Sequence, residues 1–541
     1  MPKNLLLILL ILGFCRAAAQ DAELPLLAEL VNPAQHYQLR DILSTIFDLD
    51  TIQAAADSAS VSAGDSRQKP EYTDRLSSIS ELNRGKRNLL FQGDIHLSRD
   101  HLANIVREQL NHKRKKRTAF RNSQYPHTIW KPHVPYTFHK SLTPKARASL
   151  EAAIQFWHQN TCVNFKVRTT EKVYLAMSGQ EDGCWSTVGR DEAQGAQILN
   201  IGKGCEMFGV TSHELAHALG LFHEQSRYDR DSYVQIIKSR IARQNFYDFA
   251  IVGPSNMDTY NEIYDIGSVM HYRPTEFSQD GGNTINANDV NMQGTMGQFR
   301  GPSFLDVKKI NKHYECDKIC KNALKCANGG YQHPRKCDQC ICPTGFGGKT
   351  CDDIDVANPA KCRGVLTASE EQRKFTINIK PKATAKGIRQ CNYHIQAPEG
   401  KKIVIYLDSV IGNCVQGCYE EGVELKMYAD KTVTGARFCC KLKKPQILVS
   451  QTNLVPIILM AGKAQAFVQL RYSYVDSPLS RSPISASQSI SQTSQPSSNF
   501  QSKFEDLKID SEKIRQDHLI SQNATTTNSS DFEELYRKSL F

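Results

Sequence analysis

The residues His213-Glu214-Leu215-Ala216-His217-Ala218-Leu219-Gly220-Leu221-Phe222-His223 carry the densest chemistry in this chain. Two histidines four apart on a helix share one face, about 6 Å apart along the axis, so both rings can reach one ion. Gly220 can take the left-handed conformation that ends a helix and turns the chain, bringing His223 back as a third ligand. Three imidazoles suit Zn2+ and leave one coordination position for water, as a catalytic zinc site requires. Glu214 lies beside the first ligand without binding the metal. There it can take a proton from activated water and later deliver it to a leaving amine. The five fixed positions arise by chance in only about four of 100,000 chains of this length and composition, so an apolar helix with core histidines is the poorer account. Downstream, Ser268-Val269-Met270-His271-Tyr272 offers a methionine suited to an apolar floor beneath such a site.

These residues need a scaffold. At 541 residues, with 40% hydrophobic and 23% charged residues, the chain is long enough for three or four domains with ordinary cores. Before the histidines, Val134 to Phe138 reads as a strand and Val163 to Val167 as another. Pro144 to Gln159 reads as a helix, with Thr143 as N-cap and Leu150, Ile154 and Trp157 on one face. Much of the net charge of +11 comes from one run, His112 to Arg117. No aromatic-basic module accompanies the run, so nucleic acid is not the expected partner.

The start reads as a signal peptide over 1–19: Lys3, an apolar run from Leu5 to Phe14, then Ala17-Ala18-Ala19. That run is too short for a ~20-residue membrane span, so release to an extracellular, oxidising compartment is expected. Of seventeen cysteines, Cys15 leaves with the signal and sixteen remain, an even number for disulfides. Residues 20–117 have none. They end in the second of two Arg-x-Lys-Arg clusters, Arg84 to Arg87 and Arg114 to Arg117, and read as a pro-peptide with an activation cut at Arg117-Thr118. Residues 317–352 are too short for a sufficient core and hold six cysteines, a disulfide module rather than a Cys337-x-x-Cys340 metal site. Residues 362–475 show loop-separated strands at Ile403 to Leu407, Ile447 to Val449 and Phe467 to Leu470, expected as an all-β sandwich. Residues 476–541, rich in Ser, Gln and Thr, are expected to be a disordered tail, with Asn523 and Asn528 as glycosylation acceptors.

With these motifs in hand, residues 118–316 resemble the astacin family of zinc metalloendopeptidases, through Thr211 to Asp231, Ser268 to Tyr272 and Leu305 to Cys316. The resemblance implies a metzincin-type α+β catalytic domain with one Zn2+ on His213, His217 and His223, Glu214 as general base and Met270 in the Met-turn. It further implies Tyr272 as a catalytic group stabilising the tetrahedral intermediate, Cys162–Cys316 and Cys184–Cys205 disulfides, and Glu224 near the mature N-terminus. Phe91-Gln92-Gly93-Asp94 resembles the family's latency motif, in which Asp94 takes the water's place on the metal. A carboxylate is a good zinc ligand, and Gly93 lets backbone approach the cleft closely. Cys326 to Cys351 resembles an EGF-like module, implying Cys342–Cys351. The block 362–475 resembles a CUB domain, implying Cys362–Cys391 and a surface for matrix or glycan contacts. Pairings among Cys320, Cys326, Cys337 and Cys340, and among Cys414, Cys418, Cys439 and Cys440, stay open. The whole arrangement looks like nematode astacins, a group that includes hatching and moulting proteases acting on egg coats or cuticle. Two other readings are a matrix-binding protein that has lost catalysis and a zinc-bearing structural protein. The intact set of His213, Glu214, His217, His223 and Tyr272 argues against both.

Overall fold

The computed structural model describes Arg40, Leu43, Ser44 and residues 77–110, 125–381 and 388–476. The expected signal peptide, the Arg117-Thr118 bond, residues 477–541, Asn523 and Asn528 lie outside the described residues.

The N-terminal segment contributes helix α1 (Ile79–Leu82), strand β1 (Ile95–His96) and helix α2 (Arg99–Leu110). Ser78 and Glu81 form a capping box that starts α1. The catalytic part follows with β2 (Val134–Phe138), helix α3 (Pro144–Asn160), β3 (Phe165–Val167), β4 (Tyr174–Ser178), β5 (Cys184–Thr187) and β6 (Ala196–Ile201). One six-stranded sheet runs β1-β5-β6-β4-β2-β3. Its members pair in parallel except β5 with β6, so the N-terminal β1 extends the edge beside β5.

Helix α3 begins where Thr143 accepts a hydrogen bond from Ala146 N at 3.1 Å and Pro144 pre-sets the first turn. It buries Ala146, Leu150, Ala153 and Trp157, a stripe spaced four, three and four residues apart. Ala153 takes the inner row, and Ile154 falls to the half-buried flank. The strand expected from Val163 begins two residues later, at Phe165. Trp157 Nε1 donates to Ser212 O at 3.2 Å on helix α4 (Phe208–Ala218), fixing the two helices together. All of α4 from Gly209 to Ala218 is buried, so its side chains have fixed surroundings on every face. Cys184–Cys205 ties the sheet edge to the loop before α4. Cys162–Cys316 joins the end of α3 to the end of helix α5 (Phe304–His313), and closing that 154-residue loop contributes about 5 kcal/mol in the chain-entropy model. Between α4 and α5 lies mostly irregular chain, with one small ladder of β7 (Val234–Ile236) and β8 (Ile285–Ala287).

The cysteine-rich part forms two short ladders, β9 (Tyr331–His333) with β10 (Lys336–Ile341) and β11 (Phe346–Gly347) with β12 (Asp353–Ile354). Its disulfides are Cys320–Cys337, Cys326–Cys340 and Cys342–Cys351, an interleaved pair followed by a local one. Arg335 anchors this module to the end of α3, donating to Thr161 O and Val163 O, each at 2.8 Å. The last part comprises β13 (Arg363–Thr367), β14 (Arg373–Ile379), β15 (Arg389–Gln396), β16 (Lys401–Ile411), β17 (Glu421–Leu425), β18 (Ala436–Phe438), β19 (Gln446–Val449), β20 (Leu454–Ala461) and β21 (Ala466–Asp476). These make a sandwich of a five-stranded sheet, β13-β15-β20-β17-β18, and a four-stranded sheet, β14-β21-β16-β19. Asp476, assigned to the tail by sequence, pairs with Lys401 and ends β21. The bridges here are Cys362–Cys391, Cys414–Cys440 and Cys418–Cys439.

The sandwich shares its core with the irregular lower part of the catalytic unit. Val234, Ile285, Met292 and Met296 belong to the same apolar cluster as Val423, Leu425 and Leu459. Thr434 N donates to Asp265 Oδ1 at 3.1 Å, and Arg437 N donates to Thr295 Oγ1 at 3.0 Å.

Glycine inside a helix ordinarily costs about 1 kcal/mol against alanine. At Gly209 in α4, however, a Cβ would fall on the Phe299 carbonyl oxygen, a backbone atom that cannot swing away. Gly209→Ala is therefore expected to lower the thermal unfolding midpoint by several degrees, where an open helix site would raise it. Calorimetry of the secreted variant and parent checks the sign.

Candidate active site and metal centre

Helix α4 presents His213, Glu214 and His217, and its exit presents His223. After Leu219 the chain turns at Gly220, whose φ is +113°. A side chain there would be strained by that angle, and its Cβ would lie 2.7 Å from His313 Nε2. The turn brings Leu221 O to His217 Nδ1 at 2.7 Å and carries His223 back toward α4. His213 Nδ1 donates to Val269 O at 2.8 Å, and His223 Nδ1 donates to Gln92 Oε1 at 3.0 Å. With each Nδ1–H engaged, each Nε2 is left as a lone-pair donor facing the centre.

Asp94 faces those three nitrogens. Its carboxylate oxygens lie 3.2 Å from His213 Nε2, 3.6 Å from His217 Nε2 and 3.2 Å from His223 Nε2. Donors bonded at about 2.1 Å to a tetrahedral ion stand roughly 3.4 Å apart, so these spacings fit zinc ligands. The four candidate donor atoms all lie within 4.8 Å of one another, and all four side chains are buried. Among the described residues, His217 Nε2 and Asp94 Oδ1 find no hydrogen-bond partner, which a shared cation would supply. Protonation states agree with ligation. Burial pulls His217 down to about 4 and also lowers His223, which favours neutral imidazoles. Burial opposes ionisation of Asp94, so its carboxylate, like the lone-pair nitrogens it faces, calls for a shared cation.

Glu214 is fully buried beside this centre, and neither of its oxygens has a hydrogen-bond partner among the described residues. Burial, and then Asp94, push its carboxyl well above the ordinary range. The Tyr272 ring lies 4.9 Å from that of His223. Its hydroxyl donates to Gln92 O at 2.6 Å and lies 3.2 Å from Asp248 O. Burial, then the Asp248 and Asp94 charges, raise its pKa well above the usual value, so it is a neutral donor.

Met270 is buried in the apolar cluster that also holds Leu215, Ala216 and Ala218 of α4, on a strap held by Asp306. Ser268 Oγ donates to Asp306 Oδ1 at 2.6 Å and Val269 N to Asp306 Oδ2 at 2.9 Å. The adjoining Val269 carbonyl is the one that orients His213. Asp306 also completes the capping box with Ser303 that starts α5. Glu224 is enclosed by Arg227, at 2.9 Å, and Lys309, at 2.5 Å. Burial resists its ionisation, but Lys309 and Arg227 overcome it and hold the carboxyl near about 2.

The sequence reading grouped His213, Glu214, His217, His223, Tyr272, Met270 and Asp94; six of them come together here, and Met270 packs with the apolar residues of α4. It missed Gln92 as the partner of His223, Asp306 as the anchor of the strap and Asn83, whose Oδ1 accepts from Cys184 N at 2.8 Å. Ser303-x-x-Asp306 before an apolar run is a capping signal that marks Asp306 as structural. Nothing local marks Gln92 or Asn83, because their partners lie 131 and 101 residues away.

Three imidazoles and one carboxylate around a common point, with a buried glutamate alongside, define a mononuclear zinc hydrolase carried on one helix and one methionine strap. Residues 122–315 match the model of the Astacin peptidase family. Zinc metalloproteinase nas-23 of Caenorhabditis elegans is 68% identical over 517 residues, 95% of this chain and 94% of that protein. Zinc metalloproteinase nas-29 of the same organism is 44% identical over 75% of this chain and 79% of its own length. Among solved structures, High choriolytic enzyme 1, a hatching enzyme zinc-protease from Oryzias latipes, is 34% identical. It covers 35% of this chain and 94% of its own, with a TM-score of 0.32. The chain belongs to the astacin family of zinc metalloproteinases.

Asp306→Ala would free the strap and the His213-orienting carbonyl without touching a ligand. Lost support of this kind typically weakens metal affinity about 10- to 100-fold. A competitive chelator titration of the variant against the parent is expected to show a loss in that range.

Proposed function

We propose that this protein is a secreted endopeptidase made as a latent precursor, in which Glu214 activates water and the segment ending at Arg117 blocks the cleft until it is cut away. The observation that carries this reading is Asp94: its carboxylate faces all three histidines within 3.6 Å. It thereby takes the position a catalytic site keeps for water.

The blockade extends beyond one ligand. Residues Phe91, Ile95, Leu97, Leu102, Ile105 and Val106 pack with Val188, Phe222, Tyr247, Ala250, Val252 and Met257 in one apolar cluster. Strand β1 takes up the edge of β5, with Ile95 opposite Ser186, and so occupies backbone groups with which an extended substrate would pair. Gln92 O occupies the Tyr272 hydroxyl. Once this segment departs, Glu214 can accept a proton from water and pass it to the leaving amine. In the uncut form burial and then Asp94 raise its pKa, and departure of the segment removes the second of these causes. Tyr272, neutral and freed from Gln92, can donate to the oxygen that gains charge in the transition state. Bound zinc would polarise the scissile carbonyl and lower the pKa of water to about 7.

The position of the cut decides the outcome. A break after Arg87 leaves Asp94 on the chain, whereas a break after Arg117 separates it. Arg84 to Lys86 form a 3-10 turn, and the Arg87 guanidinium lies 5.1 Å from the Phe277 ring centre, so this site is folded down on the catalytic unit. Extracellular delivery is supported by the signal-like start and by eight disulfides pairing all sixteen remaining cysteines. Among the described residues no helix is long and apolar enough to cross a membrane. Egg-coat or cuticle proteins are the proposed substrates, on the strength of the domain arrangement, with the sandwich as a contact surface for matrix or glycan.

Glu214→Gln is expected to keep zinc, measured by elemental analysis, and to lose about 100- to 10,000-fold in turnover. Equal cleavage by the variant would remove Glu214 from its role. A metal chelator should abolish cleavage of a protein substrate by the processed enzyme, and added zinc should restore it. Replacing Arg114 and Arg117 by alanine should keep the secreted protein inactive. Adding Asp94→Ala to that uncut form should release measurable activity, and normal activity without the second change would overturn the latency assignment.

A further inference from the structure

Asp248 belongs to neither the metal centre nor its supports, yet it sits at the cleft. It lies on the 3-10 helix Arg243–Phe249, and its main-chain oxygen is 3.2 Å from the Tyr272 hydroxyl. Its side chain is 0% exposed. Burying a lone carboxylate is costly unless a cation faces it. Here the facing cation is Arg40, from the segment that the proposed processing removes. One guanidinium nitrogen of Arg40 lies 3.9 Å from Asp248 Oδ2 and donates to Gln244 O at 2.5 Å. The guanidinium carbon sits 5.0 Å from the centre of the Tyr247 ring, within cation–π range. The other terminal nitrogen donates to Arg87 O and Asn88 Oδ1, which belong to the same removable segment.

The catalytic unit therefore offers one guanidinium three matched features: an acid, an aromatic wall and a carbonyl acceptor. The departing segment packs on one side of Tyr247 through Phe91, but the turn that carries these features is also held from within the catalytic unit. Phe249, on the same turn, packs edge-on against Tyr272 and Phe277, with ring centres 5.8 Å away in each case. Arg230 fixes its carbonyl at 2.5 Å. Burial pushes the Asp248 carboxyl up to about 7, and Arg40 and then Arg87 are the charges that draw it back. Both of those cations precede Arg117. Their removal leaves the acid without its counter-charges, beside a cleft that must hold an extended peptide.

We propose that the space filled by Arg40 in the precursor becomes, in the processed protease, a substrate subsite selective for arginine, formed by Asp248, the Tyr247 ring and the Gln244 carbonyl. The inference rests on the proposed removal of the segment ending at Arg117. A planar guanidinium can stack on Tyr247 while its edge donates to Gln244 O and faces Asp248, so arginine should exceed lysine. Citrulline, which keeps the shape and loses the charge, should be a poor substitute.

The test uses the full-length protein after processing and a panel of otherwise identical peptides. Arginine, lysine or citrulline is placed in turn at each of the three positions on either side of the scissile bond. At one position, arginine is expected to exceed citrulline at least tenfold in kcat/KM, with lysine between them. Asp248→Asn should lower cleavage of the arginine peptide at least tenfold and narrow the arginine-to-citrulline ratio below threefold. Equal cleavage of arginine and citrulline peptides at every position by the unmodified enzyme overturns the subsite, whether or not the variant folds. A preference that survives Asp248→Asn also overturns it. A processed protein that cuts neither these peptides nor any protein substrate would overturn the protease mechanism itself, and the subsite with it.

Discussion

The structure depends on a buried cluster in which three imidazoles and a carboxylate point at one another. Such a cluster is costly to bury without a cation, and it coordinates well only if every ring is held in one tautomer and one orientation. Helix α4 is buried on all sides because it has to be rigid around the site. The turn at Gly220 has both an unusual φ and no room for a side chain because His223 must return to within reach of α4. The Met270 strap is tied to Asp306 because the neighbouring Val269 carbonyl aims His213. Glu214 finds no hydrogen-bond partner among the described residues, which suits the proton exchange proposed for it.

The N-terminal segment meets the same site with chemistry that mirrors it. Asp94 offers the metal an oxygen, Gln92 offers His223 and Tyr272 acceptors, and Arg40 offers Asp248 a cation. Asn83 pairs with the backbone of Cys184 much as a neighbouring strand would. Apolar residues of the segment complete a core with Phe222 and Tyr247 that neither part could close alone. The segment thus supplies what the cleft would otherwise draw from water, metal and peptide. On this reading, latency is a property of one folded body rather than of a single blocking residue.

The C-terminal sandwich is also joined to the catalytic unit. Its core runs on into the lower part of the catalytic unit. Asp265, which takes hydrogen bonds from Thr434, also has its own N–H bound to Glu224 at 3.0 Å. Glu224 directly follows His223, so a chain of contacts runs from the sandwich to the metal ligands. The cysteine-rich module is fastened instead through Arg335 to the end of α3. Both attachments brace the catalytic part.

Much of this was legible in the sequence because the signals are local. The ligand spacing, Glu214 beside His213, the glycine turn, the Thr143 cap and the β runs at 403–407, 447–449 and 467–470 follow from helical and strand periods acting over a few residues. Met270 was marked by its place downstream of the third histidine, and family resemblance then added Asp94 and Tyr272, which no short-range period connects to the histidines. The order of the sheet, the addition of β1 at its edge and the pairing of the clustered cysteines in 320–340 and 414–440 were decided only by the tertiary structure. So were Gln92 on His223, Arg40 on Asp248, Ile154 yielding the inner row to Ala153 and the join between sandwich and catalytic unit. The physical reason is the same in each case. A sequence determines directly what residues do to near neighbours, whereas contacts between positions a hundred or more residues apart exist only once packing has chosen which buried groups face each other.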